Sequence, residues 1–314
     1  MTMKILMLGG SGFVGGHLTR RLAADGHRVT VITRYAPGAR HLKVVPGARI
    51  ETLDPYDVDA LAEVLAGHDA LVNLVGILNE RGFGGSGFRR AHVTLVEGAI
   101  EACRRAGVDR LIHMSALNAG NGDSHYLKTR GEGEARVRES RLDWTMFRPS
   151  TIFGPDDSFL NRFAGLLAIS PVLPLARPGA RFAPVHVGDV VEAFARAAAR
   201  DDAIGQTYEL CGSETWTLAD LVRWVARQRG MRRWVIGLPD VLGWLQGRVF
   251  DFVPGKPFSS DNFKSLGVDS VCTDRGFERL GIEPWGMSEK AVDWLSDTGR
   301  QSRYRRFRQH ARRG

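Results

Sequence analysis

The segment Gly9-Gly10-Ser11-Gly12-Phe13-Val14-Gly15 carries the strongest chemical signal in the chain. Its glycines satisfy two spacings at once: G-x-x-G-x-x-G through Gly9, Gly12 and Gly15, and G-x-G-x-x-G through Gly10, Gly12 and Gly15. A short apolar run precedes it and an amphipathic helical pattern follows. Glycines in that place permit a tight turn and let a pyrophosphate approach the backbone. The helix N-terminus supplies free N–H groups and a partial positive charge. The expected ligand is therefore a dinucleotide, cradled by Gly9, Gly10, Ser11, Gly12, Phe13, Val14 and Gly15. The end of the second strand decides which one. NAD sites usually place an acid there for the adenosine ribose hydroxyls. This chain has Thr33-Arg34, and no acid follows before Glu51. A guanidinium at Arg34 suits a bidentate pair with a 2′-phosphate, and Arg40 and Lys43 stand nearby. NADP(H) is the preferred cofactor, with NAD(H) also compatible. Asp54, ending the third strand, is a candidate acceptor for the adenine amino group. An Asp before Pro55 is equally a turn initiator.

These residues need a frame that brings strand ends together. Lys4–Leu8, Arg28–Thr33, Arg49–Leu53, Ala70–Leu74, Arg110–Met114 and Trp144–Phe147 are predicted strands, apolar nearly throughout. Phe13–Ala24, Val58–Leu65 and Ala91–Ala106 are predicted helices between them. Such alternation argues for βαβ units and a parallel sheet covered on both faces. Gly26 and Gly107 stand where helix C-caps belong. After residue 150 the alternation weakens, and prolines punctuate Pro149–Pro184. Helical patterns return at Val190–Ala199, Leu218–Arg229 and Val241–Phe252. The expected fold is α/β: a doubly wound parallel Rossmann sheet over 1–150, then a smaller C-terminal α/β substrate or partner domain over 151–298. That second part is expected to return some elements to the first. Residues 299–314 form a basic tail, expected to be disordered.

Further segments carry a resemblance. They are Asn73-Leu74-Val75-Gly76-Ile77-Leu78, His113-Met114-Ser115-Ala116-Leu117-Asn118-Ala119, Tyr126-Leu127-Lys128-Thr129-Arg130-Gly131-Glu132-Gly133-Glu134, Phe147-Arg148-Pro149-Ser150-Thr151-Ile152-Phe153-Gly154 and Phe159-Leu160-Asn161-Arg162-Phe163. With the glycine turn they resemble the extended or atypical short-chain dehydrogenase/reductase superfamily. The likeness is strongest to the Rossmann-fold accessory subunit of respiratory complex I and its free-standing, epimerase/dehydratase-like bacterial relatives. The resemblance implies a Tyr-x-x-x-Lys pair plus a serine. The tyrosine exchanges a proton with a substrate oxygen, the lysine's charge assists it and holds the nicotinamide ribose, and the serine polarises the substrate. Ser115 and Tyr126 match, but Arg130 stands in the lysine position. Arginine keeps the charge as a wide planar fork, so the ribose contact need not survive. Lys128 is no substitute, because on a helix it points away from the face shared by 126 and 130. The resemblance also implies cofactor contacts from Leu74, Val75, Gly76, Tyr126 and Arg130, and closure of the nicotinamide site by Pro149, Ser150 and Thr151. Asp156, Asp157, Asn161 and Arg162 are candidate substrate contacts, although a loop with a helix cap at Asp157 explains them nearly as well.

Two function classes follow. The first is an NADP(H)-dependent reductase, dehydrogenase or epimerase-like enzyme on a small hydroxyl or carbonyl substrate. The second, drawn from the complex I likeness, is a non-catalytic nucleotide-binding module that assembles with a respiratory-chain or membrane partner. Composition narrows the field. The chain has 314 residues and a net charge of +8. The tail from Gly299 holds seven arginines and no acid, so the first 298 residues carry 8 − 7 = +1. The body is nearly neutral, and nucleic acid is an unexpected partner. Cys103, Cys211 and Cys272 are odd in number and widely spaced, which suggests neither a zinc site nor a disulfide and fits a reducing cytoplasm. His92, His113, His125 and His186 lack metal spacing. Asp189 and Thr217 are expected helix N-caps. In 237–254, Val241, Leu242, Leu245, Val249, Phe252 and Val253 can share one helical face, with Trp244 at its margin. That face is expected to cover the core of the smaller domain. The alternative is an interfacial helix that, with 299–314, meets an anionic membrane or an acidic partner and places the protein peripherally at the membrane's inner face.

Overall fold

The computed structural model describes residues 2–254 and 256–296. The sequence-derived basic tail lies outside the described residues. The first half runs β1 (Lys4–Leu8), α1 (Phe13–Ala24), β2 (Arg28–Thr33), β3 (Ala48–Thr52), α2 (Val58–Leu65), β4 (Ala70–Asn73), α3 (Ser86–Arg89), α4 (Leu95–Ala106), β5 (Arg110–Met114), α5 (His125–Glu139) and β6 (Asp143–Pro149). A π-helical turn over Arg90–Thr94 joins α3 to α4, so the helix expected from Ala91 begins at Ser86.

The second half runs β7 (Ile152–Phe153), α6 (Leu160–Ile169), β8 (Val172–Ala176), β9 (Arg181–Phe182), β10 (Val185–His186), α7 (Val187–Ala198), β11 (Gln206–Leu210), β12 (Trp216–Thr217), α8 (Leu218–Gln228), β13 (Trp234–Leu238), α9 (Asp240–Phe250) and α10 (Ser260–Ser265). The central sheet has seven strands in the order β3-β2-β1-β4-β5-β6-β11. Every pair is parallel. The chain after Pro149 thus returns a strand to the sheet, with Tyr208 opposite Phe147.

Period-two alternation splits each strand between two cores. Ile5 and Met7 of β1 face one side, packed with Leu18 and Leu22 of α1 and with Val190, Val191 and Phe194 of α7. Leu6 and Leu8 face the other, packed with Leu61 and Leu65 of α2 and with Val96, Ile100 and Cys103 of α4. Burial on both faces explains why these strands are apolar throughout. A third core forms the smaller domain from α6, β8 and α8, with Phe153, Leu167, Leu175, Leu221 and Val225 at its centre.

Three expectations are corrected. Cys211, just past β11, and Cys272 form a disulfide. Their 61-residue separation hides a meeting that only the return of β11 to the sheet creates. This pairing removes the ground for expecting a reducing compartment. Asp189 is not a cap. His186 is the N-cap of α7, its ring nitrogen accepting the Gly188 N–H. Asp189 instead accepts the Trp285 N–H at 2.9 Å and so fastens the C-terminal segment to α7. Thr217 does cap α8, accepting the Asp220 N–H. Finally, α9 turns its apolar face outward. Gly243 and Gly247 are its buried residues, while Val241, Leu242, Trp244, Leu245 and Val249 on the helix, and Phe252 just past its end, are exposed.

Burial pushes the Asp189 carboxyl up to about 6, against the opposing pull of the Trp285 N–H and the Lys290 charge. A raised carboxyl pKa means that the ionised form weighs on the folded state. This stability is present below the ordinary carboxyl pKa and is lost as pH rises through about 6. Asp189→Asn keeps an acceptor for Trp285 and removes the charge. It is expected to stabilise the protein by about 1–2 kcal/mol at pH 7.5 and to change little near pH 4. Thermal melts at the two pH values check this, and equal effects at both would refute it.

Candidate functional site at the carboxyl ends of the sheet

A cavity of about 900 Å³ crosses the carboxyl ends of β2, β1, β4, β5 and β6 and continues beneath α6 and β8. Ligands of open parallel sheets bind at this edge. Gly9 adopts φ +78°, and its carbonyl accepts the Gly12 N–H at 3.0 Å, closing the turn. A Cβ on Gly15 would lie 2.3 Å from the Gly9 oxygen, so only glycine lets α1 start this close to the turn. Gly12 is the N-cap and contributes no capping side chain, leaving the first N–H groups of α1 for an anion. Gly9, Ser11, Gly12, Phe13, Val14 and Gly15 line the cavity; Gly10 does not. Its missing side chain makes room for Val31, since a Cβ there would lie 2.8 Å from a Val31 methyl. Arg34 is exposed and also lines the cavity, between Thr33 and Tyr35. Asp54 is absent from the lining and spends a carboxylate oxygen on the Tyr56 N–H at 3.3 Å. It is the turn initiator, and neighbouring Pro55 and Tyr56 face the cavity instead.

Tyr126 and Arg130 share one face of α5, with the guanidinium carbon 5.6 Å from the phenol ring centre. Both line the cavity, together with Ser115, Leu74, Val75, Gly76, Pro149, Ser150 and Thr151. Arg130 is only 5% exposed, has no carboxylate partner among the described residues, and donates to the Met114 carbonyl at 2.9 Å. Its Nε has no partner among the described residues. Among the described residues, Arg34, Arg130 and Arg162 are the charged ones of the lining, and no acid lines it. A cradle of glycine N–H groups and unpaired guanidinium groups fits an anionic dinucleotide.

The family model described as NAD(P)H-binding matches residues 9–158. Over 301 residues the chain is 30% identical to the rat mitochondrial protein "NADH dehydrogenase [ubiquinone] 1 alpha subcomplex subunit 9", covering 92% of this chain and 78% of that one. It belongs to the atypical short-chain dehydrogenase/reductases. It is also 32% identical over 244 residues to the ceramide reductase of Caulobacter vibrioides, across 75% of this chain and 74% of the relative. Among solved structures, the UDP-glucose 4-epimerase of Thermotoga maritima superposes with a TM-score of 0.75 at 17% identity, over 96% of this chain and 99% of that one. The dTDP-glucose 4,6-dehydratase of Streptomyces venezuelae superposes with a TM-score of 0.74 at 19% identity, over 94% and 98%. The structural likenesses show a shared fold.

Set within this short-chain dehydrogenase/reductase frame, several side chains acquire roles that sequence patterns did not reveal. The Ser115 hydroxyl donates to Glu134 Oε1 at 2.6 Å. Glu134 is almost fully buried and also receives Arg148 Nε at 2.8 Å and Arg138 Nη2 at 2.8 Å. Burial pushes this carboxyl up, but the hydrogen bonds from Arg148 and Ser115 and the arginine charges prevail and hold it below the usual range. With its proton committed to an ionised carboxylate, Ser115 offers the cavity an acceptor rather than a donor. Ser150 likewise spends its hydroxyl on Ser270, at 2.8 Å from the carbonyl.

His92 accepts the Ile77 N–H on Nε2, so its proton lies on Nδ1, 2.9 Å from Thr129 Oγ1. Burial, with Arg130 nearby, lowers it to about 2. This neutral ring lies edge-on to Tyr126 and pins the loop after β4. Asp261 of α10 accepts the His125 and Tyr126 N–H groups at 2.7 and 3.1 Å, so the smaller domain caps the helix bearing Tyr126. Of the candidate substrate contacts, Arg162 lines the cavity. Asp157 caps α6, accepting the Leu160 N–H at 2.6 Å, while Asn161 bonds backbone carbonyls and Asp156 lies outside the lining. Among the described residues no cluster of His, Cys, Asp and Glu is placed to hold a metal ion.

A Cβ on Gly76 would lie 1.9 Å from Arg130 Nη2. Gly76→Ala is therefore expected to displace the guanidinium and weaken nucleotide binding by about tenfold, the scale of one lost charged hydrogen bond. Adding Arg130→Lys, which lacks the offending nitrogen, should recover most of that loss. Fluorescence titration of the single and double variants measures both, and an unchanged affinity in Gly76→Ala refutes the coupling.

Proposed function

We propose that this protein is an NADP(H)-preferring reductase or dehydrogenase acting on a small-molecule carbonyl or hydroxyl substrate. The observation that carries this reading is the placement of Tyr126 and Arg130 on one helical face at the wall of the cavity that begins at the glycine turn. The turn from Gly9 to Gly15 would hold the pyrophosphate, Arg34 a 2′-phosphate, and Leu74 to Gly76 with Pro149 to Thr151 the nicotinamide end. A reduced nicotinamide held by these residues would supply the hydride. Tyr126 gives its phenolic proton to the substrate oxygen, so that a carbonyl becomes an alcohol. The guanidinium of Arg130 offsets the negative charge left on the phenol. Ser115, its own proton held by Glu134, accepts a hydrogen bond from a substrate hydroxyl and so favours that group in place. Epimerase-like chemistry would reuse the same groups in both directions.

A second reading is a nucleotide-binding module that assembles with a respiratory-chain or membrane partner. Two observations favour it: Arg130 is tied to the Met114 carbonyl, and α9 presents an outward apolar face. Its contacts would be residues 237–254 and the arginines of 299–314, at the inner face of a membrane. No helix among the described residues is long and apolar enough to cross one.

Titration with NADPH and NADH, with Arg34→Ala alongside, tests the cofactor. A preference for NADPH of about tenfold or more, abolished by Arg34→Ala, is expected from one charge-assisted bidentate pair. Equal affinity for both nucleotides would refute the assignment of Arg34. Tyr126→Phe is expected to lower turnover on a carbonyl substrate by about 10²-fold or more while nucleotide affinity holds; unchanged turnover would remove Tyr126 from the chemistry. Deleting residues 299–314 should weaken membrane or partner association most at low salt, and co-sedimentation of the truncated protein measures this.

A further inference from the structure

Helix α9 is mounted inside out. It packs closest to the body at its two glycines, where a Cβ on Gly243 would lie 3.0 Å from Ala176 Cβ and from the Phe263 ring and one on Gly247 3.1 Å from Ser260 Cα, while the Gln246 amide donates to the Pro174 carbonyl. The side chains that would ordinarily cover a core face outward instead, with Val241 76% and Phe252 80% exposed. Exposure of so many large apolar groups on one short helix costs solubility unless something covers them. The loop after β4 extends this surface, since the exposed Phe83 ring lies 5.5 Å from Phe252. Exposed Trp234 and Val172 stand opposite each other on the β13–β8 ladder beside the helix.

Cations rim these apolar groups. Arg248 lies over the Trp244 ring, and Lys256 lies 4.4 Å from the Phe83 ring centre. Arg232, two residues before Trp234, is exposed as well. Of the nearby acids, Asp251 is buried and accepts the Ser260 N–H, and Asp240 lies exposed, 3.8 Å from Arg177. Apolar side chains, a tryptophan at the margin and a cationic rim together match an anionic bilayer surface.

The same helix reaches the cavity. Gln246 and Phe250 line it from α9, and Phe163 and Leu166 of α6 with Leu173 and Leu175 of β8 line the part beneath. Arg162 is the charged residue in this arm. Around Arg162 so apolar a lining suits a hydrocarbon chain.

We propose that the outward face of α9 docks on an anionic lipid bilayer, and that the apolar arm of the cavity takes the chain of a long-chain amphiphile from that surface. This deepens the reductase reading by naming its substrate class, and the docking itself requires no turnover.

Full-length protein is floated with vesicles of phosphatidylcholine, with and without phosphatidylglycerol. It should float with the anionic vesicles, less with phosphatidylcholine alone, and less at high salt. Leu245→Glu combined with Phe252→Glu, two exposed positions outside the cavity lining, should cut flotation at least about tenfold, while NADPH titration stays unchanged. Leu245→Ile with Phe252→Leu should retain flotation. In parallel, the fluorescent chain probe cis-parinaric acid should bind saturably in the presence of NADPH. Absence of flotation by the wild type overturns the docking, as does flotation retained by the double Glu variant. A wild-type dimer that the double Glu variant dissociates assigns the face to self-association and overturns it too. Failure of cis-parinaric acid to bind overturns the chain-binding arm. Failure to bind either nucleotide would sink the reductase reading and leave the flotation result standing.

Discussion

A buried guanidinium with no carboxylate partner among the described residues organises this site. Arg130 stands at the carboxyl ends of β4 and β5, where its charge meets the Met114 carbonyl rather than an acid. Burying a cation this way is costly unless dipoles or a ligand's charge compensate it. Its surroundings conform to that demand. Burial and the guanidinium together keep the neighbouring imidazoles neutral, His92 at about 2 and His113 at about 3. Neutral rings can accept as well as donate. His92 takes the Ile77 N–H, and His113 lies 3.3 Å from the Asn73 amide, whose oxygen accepts the Val75 N–H. The loop after β4 is therefore held by groups whose protonation the guanidinium helps to set. Glu134, one helical turn along α5, is engaged by Arg148, Arg138 and Ser115 rather than by Arg130. A site built this way keeps its positive charge available to an anionic ligand.

The smaller domain completes the site. Asp261 caps α5 at Tyr126, Ser270 engages Ser150, and the Asn262 amide donates to the Leu78 carbonyl. Each contact joins residues more than a hundred positions apart and lies beside the cavity. Displacement of α9 and α10 would thus be felt at Tyr126 through backbone hydrogen bonds. The outward-facing helix α9, the helix α10 packed on it and the helix that bears Tyr126 thus belong to one continuous packing unit.

Where local pattern and tertiary environment agree, the sequence was legible. β1, β2 and β5, and helices α1 and α2, match the predicted boundaries, because buried parallel strands must be apolar and their covering helices amphipathic. The shared face of Tyr126 and Arg130 follows from helical spacing alone. β11 escaped notice because Gln206–Leu210 is short and half polar; as an edge strand it need not be apolar on both faces. The face of α9 was misread because amphipathicity marks a stripe without saying whether protein or something else covers it. Glycines at 243 and 247 were the available clue, since small residues let backbones approach.

The sequence by itself determined the dinucleotide turn, the arginine after β2, the departure at position 130 and the doubly wound class. All of these depend on residue type and near-neighbour spacing. The tertiary structure alone decided which groups are spent and which remain open to a ligand. It committed Ser115 to Glu134, Asp54 to its own turn and Asp157 to a helix cap, joined Cys211 to Cys272, and turned α9 outward. Hydrogen bonds and packing saturate, so a side chain's availability depends on the partner that folding brings to it, often from a distant part of the chain.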